Sequence, residues 1–304
     1  MDGRRVVGRF APSPSGRMHL GNVFAALMAW CGVRSCGGRL LLRMEDLDTE
    51  RCNDLHAAQL REDLRWLGLD WDEETPQQSL RTEIYEAQLA KLEAQGVIYP
   101  CWCTRGMLKA ASAPHASDGR VIYPGTCRNL TPEERAARPR RAALRLLVPD
   151  AVYAVEDGVQ GHYEENLARD CGDFPVRRAD GVFAYQLAVV VDDGLCGVNQ
   201  VVRGADLLSS TPRQLYLQKL LGFPAPEYYH VPLLIGPDGR RLSKRDRDLD
   251  LGVLQQRMTA AQLIGMLAHA AGLTETSAPI SAAELAGIFD WHRVRQGPIV
   301  VQAE

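Results

Sequence analysis

Hydrophobic and polar positions change their rhythm several times along this chain, and each change predicts an element. Val6-Val7-Gly8-Arg9-Phe10 is a short β-prone run of the kind that makes a buried strand. The Pro/Ser/Gly stretch from Pro12 to Gly16 cannot continue a ladder and must turn. From Gly21, the run Asn-Val-Phe-Ala-Ala-Leu-Met-Ala-Trp is helical in composition. Gly38 to Asp48 reads as a buried strand ending in the acids Glu45, Asp46 and Asp48. Phe183 to Asp193 is another strand-like or buried segment, followed by Val201-Val202-Arg203-Gly204-Ala205-Asp206. Leu234-Ile235 ends in a Pro237-Asp238-Gly239 turn. Capping boxes at Thr131 to Glu134, Thr259 to Gln262 and Ser281 to Glu284 each open a helix. Strands alternate with helices up to Gln95, a loop insertion occupies residues near 99–130, and the alternation resumes after it.

This pattern predicts an α/β domain of Rossmann type, built on a parallel sheet and carrying an insertion. With 304 residues, 46% of them hydrophobic and 24% charged, the chain can bury one large core or two modest ones. Its N-terminus lacks the apolar stretch of a signal peptide, and no run approaches the ~18 apolar residues of a membrane span. A cytoplasmic protein without membrane contact is therefore expected. A net charge of −3 does not advertise nucleic-acid binding over the whole surface. Arg135, Arg138, Arg140, Arg141 and Arg145 do cluster after the first capping box, either facing RNA phosphates or solvating a helix end. There is no internal repeat and no low-complexity tract.

Candidate chemistry sits where these elements meet. A helix that starts after a tight loop offers free N–H groups and a positive dipole end to a phosphate. His19 stands at that entrance and can donate N–H without losing a proton at neutral pH. Arg240, Arg241, Lys244 and Arg245 follow the Pro-Asp-Gly turn. Alone they would be a solvated basic loop; paired with the helix start they form a clamp for a triphosphate. Glu45, at a strand C-terminus, is placed to take an ammonium group. Eight cysteines without an export signal argue for reduced thiols. Cys31, Cys36, Cys52, Cys171 and Cys196 are scattered, but Cys101, Cys103 and Cys127 converge across a loop. Three thiols can hold a tetrahedral zinc with one further ligand, for which His115 and Tyr123 are the candidates. On chemistry alone His115 is preferred, because phenolate is an uncommon zinc ligand.

Pro12-Ser13-Pro14-Ser15-Gly16-Arg17-Met18-His19-Leu20-Gly21-Asn22 and Arg241-Leu242-Ser243-Lys244-Arg245 resemble the HIGH and KMSKS signatures of class I aminoacyl-tRNA synthetases, in the glutamyl and glutaminyl form. Arg stands at the first position of the second pattern, where the family has Lys. The likeness runs from about Arg4 to about Arg245. The CxC…YxxxC arrangement is similar to that of the glutamyl-queuosine tRNA synthetases, short paralogues of glutamyl-tRNA synthetase. The resemblance implies a class I catalytic domain whose first half is 1–98, a zinc-binding insertion at 99–130, and the rest of the insertion and second half at 131–250. It also implies a short helical region at 251–304 with no anticodon-binding domain, as only 59 residues follow Arg245.

By the same resemblance, ATP is held by Pro12, His19, Gly21, Asn22, Arg241, Ser243 and Lys244, with His19 and Lys244 catalytic and magnesium accompanying the ATP. Glutamate is held by Arg9, Ser13, Glu45, Tyr185 and Arg203. The Arg203 fork suits the side-chain carboxylate and selects glutamate over glutamine. One structural zinc is held by Cys101, Cys103, Cys127 and, as the likeness has it, Tyr123. The implied activity is tRNA-independent formation of glutamyl-adenylate, whose carboxylate is already ionised at pH 7. The acyl group then passes to queuosine in the anticodon of tRNA(Asp), and a monomer is expected. The alternatives are a minimal glutamyl-tRNA synthetase charging a 3′ end and a non-catalytic glutamate or nucleotide sensor. Retention of both phosphate motifs speaks against the sensor.

Overall fold

The computed structural model describes residues 5–104, 106–108, 122–138, 140–239 and 250–301. It opens with β1 (Val7–Phe10) and α1 (Leu20–Arg34), joined by the Pro/Ser/Gly turn. Then follow β2 (Arg39–Leu42), α2 (Asp54–Trp66), β3 (Glu73–Glu74), a 3-10 turn at Gln78–Arg81, and α3 (Thr82–Ala94). Strands β1 and β2 pair in parallel from Val7 opposite Arg39 to Phe10 opposite Leu42. In α1, 11 of 15 residues are buried, the mark of a helix apolar on all sides and enclosed by the fold.

The chain then leaves this sheet for longer than its pattern predicts. β4 (Ile98–Cys101), α4 (Pro132–Ala136), β5 (Ala143–Leu146), β6 (Val152–Asp157), β7 (Gly161–Asn166) and β8 (Phe174–Arg177) come next. β4, β5 and β8 form an antiparallel sheet, and β6 and β7 form a hairpin. Alternation of helix and parallel strand therefore does not resume directly after residue 130. It resumes at α5 (Tyr185–Leu195), β9 (Gln200–Gly204), α6 (Thr211–Leu221) and β10 (Glu227–Val231). Antiparallel neighbours need no crossover helix to pair, so the chain can run through this segment without alternating helix and parallel strand.

The strand-like reading of Phe183 to Asp193 is corrected, because this segment forms α5. Its Val189-Val190-Val191 run favours a strand by propensity, but tertiary packing decides. Burial is continuous from Leu187 to Asp193, and apolar content alone does not separate a buried helix from a buried strand.

The parallel sheet has the order β10-β9-β1-β2-β3. The chain builds outward from β1 on one side and returns on the other, so a topological switch point lies between β1 and β9, where open α/β sheets bind ligands. After β11 (Leu234–Ile235) come α7 (Leu251–Arg257), α8 (Ala260–Ala271) and α9 (Ala282–Gly287). The capping boxes at Thr131, Thr259 and Ser281 all form. Leu263, Ile264 and Leu267 of α8 share one core with Val23 and Leu27 of α1. β12 (Ile299–Val300) pairs in parallel with β11 and ties the end of this region to the segment before α7.

A buried ionic cluster lies beneath the switch point. Arg43, only 1% exposed, donates from NH1 to Asp193 Oδ1 at 2.7 Å and lies 3.8 Å from Asp192 and 3.4 Å from Glu45. Arg9 Nε is 3.3 Å from both Asp193 oxygens. Asp192 also accepts from Gln78, Arg81 and Tyr85, each at 2.8 Å. Removing the central cation would leave buried carboxylates facing one another. Arg43→Met is expected to cost about 3–5 kcal/mol, measured by urea unfolding at neutral pH. A loss below about 1 kcal/mol would show that the acids find other partners.

Candidate functional site

The first wall of the site is the start of α1. His19 is the N-cap residue, with extended φ −95° and ψ 167°, so the helix begins at Leu20 and the imidazole itself marks its N-terminus. The backbone N–H groups of Asn22 and Val23 donate to His19 O at 2.8 and 3.1 Å. A Cβ on Gly21 would stand 3.1 Å from His19 Cε1 and 3.2 Å from Nδ1, so the glycine gives the ring its room. Arg17 braces this loop by donating to Asp63 at 3.2 Å and to Gln255 of α7 at 2.6 Å. Leu251 N donates to Met18 O at 3.0 Å, and Asp250 forms a bridge with His19. Arg241, Ser243 and Lys244, like His115, lie outside the described residues. The residue that follows their segment, Asp250, is stitched to the start of α1.

The second wall gathers the expected amino-acid ligands. A cavity of about 400 Å³ is lined by Arg9, Pro12, Ser13, His19, Asn22, Glu45, Tyr185 and Arg203. Every described residue expected to bind ATP or glutamate thus lines one cavity, except Gly21, which lies against the His19 ring. Arg9 is held from behind by Asp193 and by Val202 O, to which its NH1 donates at 3.1 Å. Burial raises the Glu45 carboxyl above its usual range, and the nearby Arg43 and Arg9 guanidinium groups offset this only in part. Burial opposes ionisation of Asp193 as well, yet Arg43 and Arg9 hold its carboxyl below the usual range.

Arg203 differs from the other buried arginines of the site. Its Nε donates to His230 Nε2 at 2.9 Å, NH1 to Gln214 Oε1 at 2.7 Å and NH2 to Thr211 Oγ1 at 2.9 Å. These partners are all neutral, and no carboxylate among the described residues pairs with it. Three of its five N–H groups are thereby used, leaving one on each terminal nitrogen. A guanidinium only 5% exposed, with a free edge and no counter-charge, is arranged for an anion brought by a ligand.

A second cavity, of about 830 Å³, shares Ser13, Ser15, Glu45 and Tyr185 with the first and extends to Cys103, Arg145, Arg178 and Phe183. Beyond it the thiols of Cys101, Cys103 and Cys127 lie within 4.8 Å of one another. Cys103 and Cys127 Sγ are 3.7 Å apart, against the ~3.8 Å edge of a tetrahedron with ~2.3 Å zinc–sulfur bonds. Tyr123 Oη lies 3.5 Å from Cys101 Sγ and accepts the Cys127 N–H at 2.7 Å. The donor set therefore fits one zinc. These residues share a small satellite core with Tyr99.

The structure also divides the arginine cluster. Arg138, Arg140 and Arg141 are exposed, but Arg145 is buried, 3.9 Å above the Tyr123 ring, and donates to Asp173 O at 2.6 Å. Asp46 accepts from Ser79 N and Oγ at 2.9 and 2.6 Å, so it caps the 3-10 turn and not the next helix, whose cap is Asn53. Sequence reasoning missed Arg17, Arg43, Asp193, Thr211, Gln214, His230 and Asp157. Paired acids closing the apolar Val-Val-Val run were a usable signal for Asp192 and Asp193. Nothing in the sequence marks His230 or Asp157.

Comparison with known proteins places this geometry. Residues 5–283 match the family described as tRNA synthetases class I (E and Q), catalytic domain. The chain is 48% identical over 314 positions to a glutamyl-Q tRNA(Asp) synthetase of Symbiobacterium thermophilum, covering 98% of this chain and 97% of the relative. It is 47% identical to a protein of the same name from Nitratidesulfovibrio vulgaris, covering 98% and 96%. Among solved structures it is similar to a glutamate tRNA ligase from Elizabethkingia meningosepticum in complex with its amino acid. That likeness has a TM-score of 0.84 at 26% identity, covering 99% of this chain and 68% of the other.

The Glu45 environment generates a pH prediction. A carboxyl whose folded pKa is raised destabilises the fold when ionised, and that cost vanishes once pH falls below both its folded and unfolded pKa values. Glu45→Gln is therefore expected to raise the melting temperature at pH 7, with the gap to wild type closing as pH falls from the raised folded value toward the ordinary glutamate value of ~4.3 and absent below it. Thermal melts across that range check it; a constant gap, or a lower melting temperature at pH 7, would contradict the assignment.

Proposed function

This chain belongs to the class I tRNA synthetases of the E and Q type, and from that membership we infer that it activates glutamate with ATP and transfers it to queuosine in the anticodon of tRNA(Asp). The observation that carries the amino-acid half is Arg203, a buried guanidinium with two spare N–H groups and only neutral partners. Glutamate supplies the carboxylate it lacks. Glutamine would offer one amide oxygen and set its NH2 group against a donor-only fork. The acceptor half rests on the relatives named for glutamyl-Q and on the larger cavity that opens onto Ser13, Glu45 and Tyr185.

In this reading Glu45 receives the α-ammonium, and Arg9, Ser13 and Tyr185 line the rest of the amino-acid pocket. The α-carboxylate attacks the α-phosphorus of ATP in line and expels pyrophosphate, and the enzyme's contribution is position and charge. His19, Asn22 and the N-terminus of α1, with Pro12 and Gly21 shaping the loop, hold the phosphates from one side. Arg241, Ser243 and Lys244 close from the other, and magnesium enters with the ATP. Arg9, Glu45 and Arg203 are set by the chain's own buried partners, which supports activation without tRNA. Cys101, Cys103, Cys127 and Tyr123 would hold one zinc, which stabilises a loop with little core of its own. The exposed Arg138, Arg140 and Arg141 are suited to tRNA phosphates.

ATP–pyrophosphate exchange is expected to depend on glutamate, to proceed without tRNA and to collapse in Lys244→Ala. Arg203→Ala should cost roughly 2–5 kcal/mol in the specificity constant for glutamate. Exchange that appears only when tRNA is added, or that glutamine drives equally well, would overturn this part.

For the acceptor, tRNA(Asp) from cells able to make queuosine should accept glutamate, and the same tRNA from cells unable to make it should not. Equal charging of the two preparations, or charging of tRNA(Glu), would refute the assignment.

Elemental analysis should find close to one zinc per chain, lost in Cys127→Ala, with affinity falling as acid protonates the thiols. Zinc retained fully in Tyr123→Phe but lost in His115→Ala would exchange the fourth ligand. Reconstituted protein without zinc would remove the site.

A further inference from the structure

The insertion hairpin reaches back to the amino-acid pocket through a chain of three buried side chains. Asp157 is the last residue of β6, and Gly158 in the following turn donates its N–H to Tyr228 O of β10 at 2.9 Å. A Cβ on Gly158 would fall 2.2 Å from the Tyr229 ring, so the turn is seated flush on that strand. Asp157 Oδ1 accepts the backbone N–H groups of Val159, Gln160 and His230 at 3.0, 2.9 and 3.0 Å. Its Oδ2 lies 2.5 Å from His230 Nδ1, and His230 Nε2 lies 2.9 Å from Arg203 Nε.

Only one form of His230 satisfies both neighbours. An ionised aspartate only accepts, so Nδ1 must carry a proton; a guanidinium only donates, so Nε2 must carry a lone pair. The ring is therefore neutral and in the Nδ1–H tautomer. Thr211 Oγ1, 3.3 Å from Nε2, fits the same arrangement. Burial and the Arg203 charge lower the affinity of the imidazole for a second proton, in keeping with this form.

We propose that Asp157 and His230 are positioning residues for amino-acid selection: they fix the Arg203 fork so that its two spare N–H groups face the substrate side-chain carboxylate. The proposal rests on the reading of Arg203 as the glutamate-selecting residue. It gives the β6–β7 hairpin a part in specificity although none of its residues lines the 400 Å³ cavity. A purely structural Asp–His pair would stabilise the hairpin without regard to which ring nitrogen holds the proton. A positioning pair depends on it.

Asp157→Asn tests that dependence. The three backbone donors keep the amide oxygen of the new side chain on their side, which turns its NH2 toward His230 Nδ1. The imidazole must then accept at Nδ1 and carry its proton at Nε2, facing another donor on Arg203. In the full-length protein, Asp157→Asn is expected to raise the glutamate KM about tenfold or more, leave the ATP KM within about twofold, and narrow the preference over glutamine. Titration calorimetry with glutamate alone should show the same loss. His230→Gln, whose amide oxygen can accept from Arg203, should keep the glutamate KM within about threefold, whereas His230→Leu should approach Arg203→Ala. A folded Asp157→Asn protein with wild-type glutamate KM overturns the proposal, as does equal behaviour of His230→Gln and His230→Leu. If Asp157→Asn does not fold, the two His230 variants decide. A wild-type glutamate KM in Arg203→Ala removes the underlying reading and this inference with it; a raised KM there beside normal Asp157→Asn kinetics removes only the positioning role.

Discussion

Pairing of Arg43 with Asp192 and Asp193, out of reach of water, is the contact on which the rest of the site depends. It joins the end of β2 to α5, and through Asp193 it holds Arg9 of β1. Burying this many charges is costly unless each finds a partner, and here Arg43, Arg9 and Arg81 together match Asp192, Asp193 and Glu45. The consequence reaches beyond stability. Within the ion-paired cluster the acids are matched by arginines, whereas Arg203 one strand away has neutral partners only. On the proposed reading, the positive charge left unmatched is what would select an acidic side chain.

The sheet order turns that cluster into a site. With β1 at the centre and β9 beside it, Arg9 and Arg203 come from adjacent strands although they are far apart in sequence. The loop after β1 delivers His19 to the rim of the same cavity, and Gly21 keeps the ring uncrowded. Arg17 and the bridge from His19 to Asp250 then connect the helix start to α7, which begins just after the second cationic motif. The start of α1 is thereby fastened to the described residues that follow the second motif in sequence.

The insertion serves the site at two points. Its antiparallel sheet carries Cys101, which shares a small core with Cys103, Cys127 and Tyr123 of the adjoining loops, and Asp173 anchors Arg128, the Tyr99 hydroxyl and the Val148 N–H beside it. Gly172 packs so closely on the Tyr123 backbone that a Cβ there would lie 2.6 Å from its carbonyl oxygen. Its hairpin, in turn, lends Asp157 to the Arg203 network. The Arg203 network in the central sheet is thus tied to an element whose own sequence shows no sign of it.

Much of this was legible before any coordinates. The strand, turn and helix at the N-terminus, the Pro-Asp-Gly turn, the three capping boxes and the thiol cluster all depend on local chemistry: φ preferences, capping hydrogen bonds and ligand spacing. Motif likeness, which fixes positions along the chain, singled out Arg9, Glu45 and Arg203, and the fold brings these three to one cavity. Three features were not legible. α5 reads as a strand because a fully buried run of valines satisfies either element, and only its neighbours choose. The length of the insertion was hidden because antiparallel pairing is a contact between distant segments. Arg145, a surface cation by its place in an arginine run, is buried over Tyr123 because the fold carries β5 beneath the loop of the three thiols. The tautomer of His230 is the limiting case: it is set by an acid 73 residues earlier and a guanidinium 27 residues earlier, which only the folded chain brings to its two nitrogens.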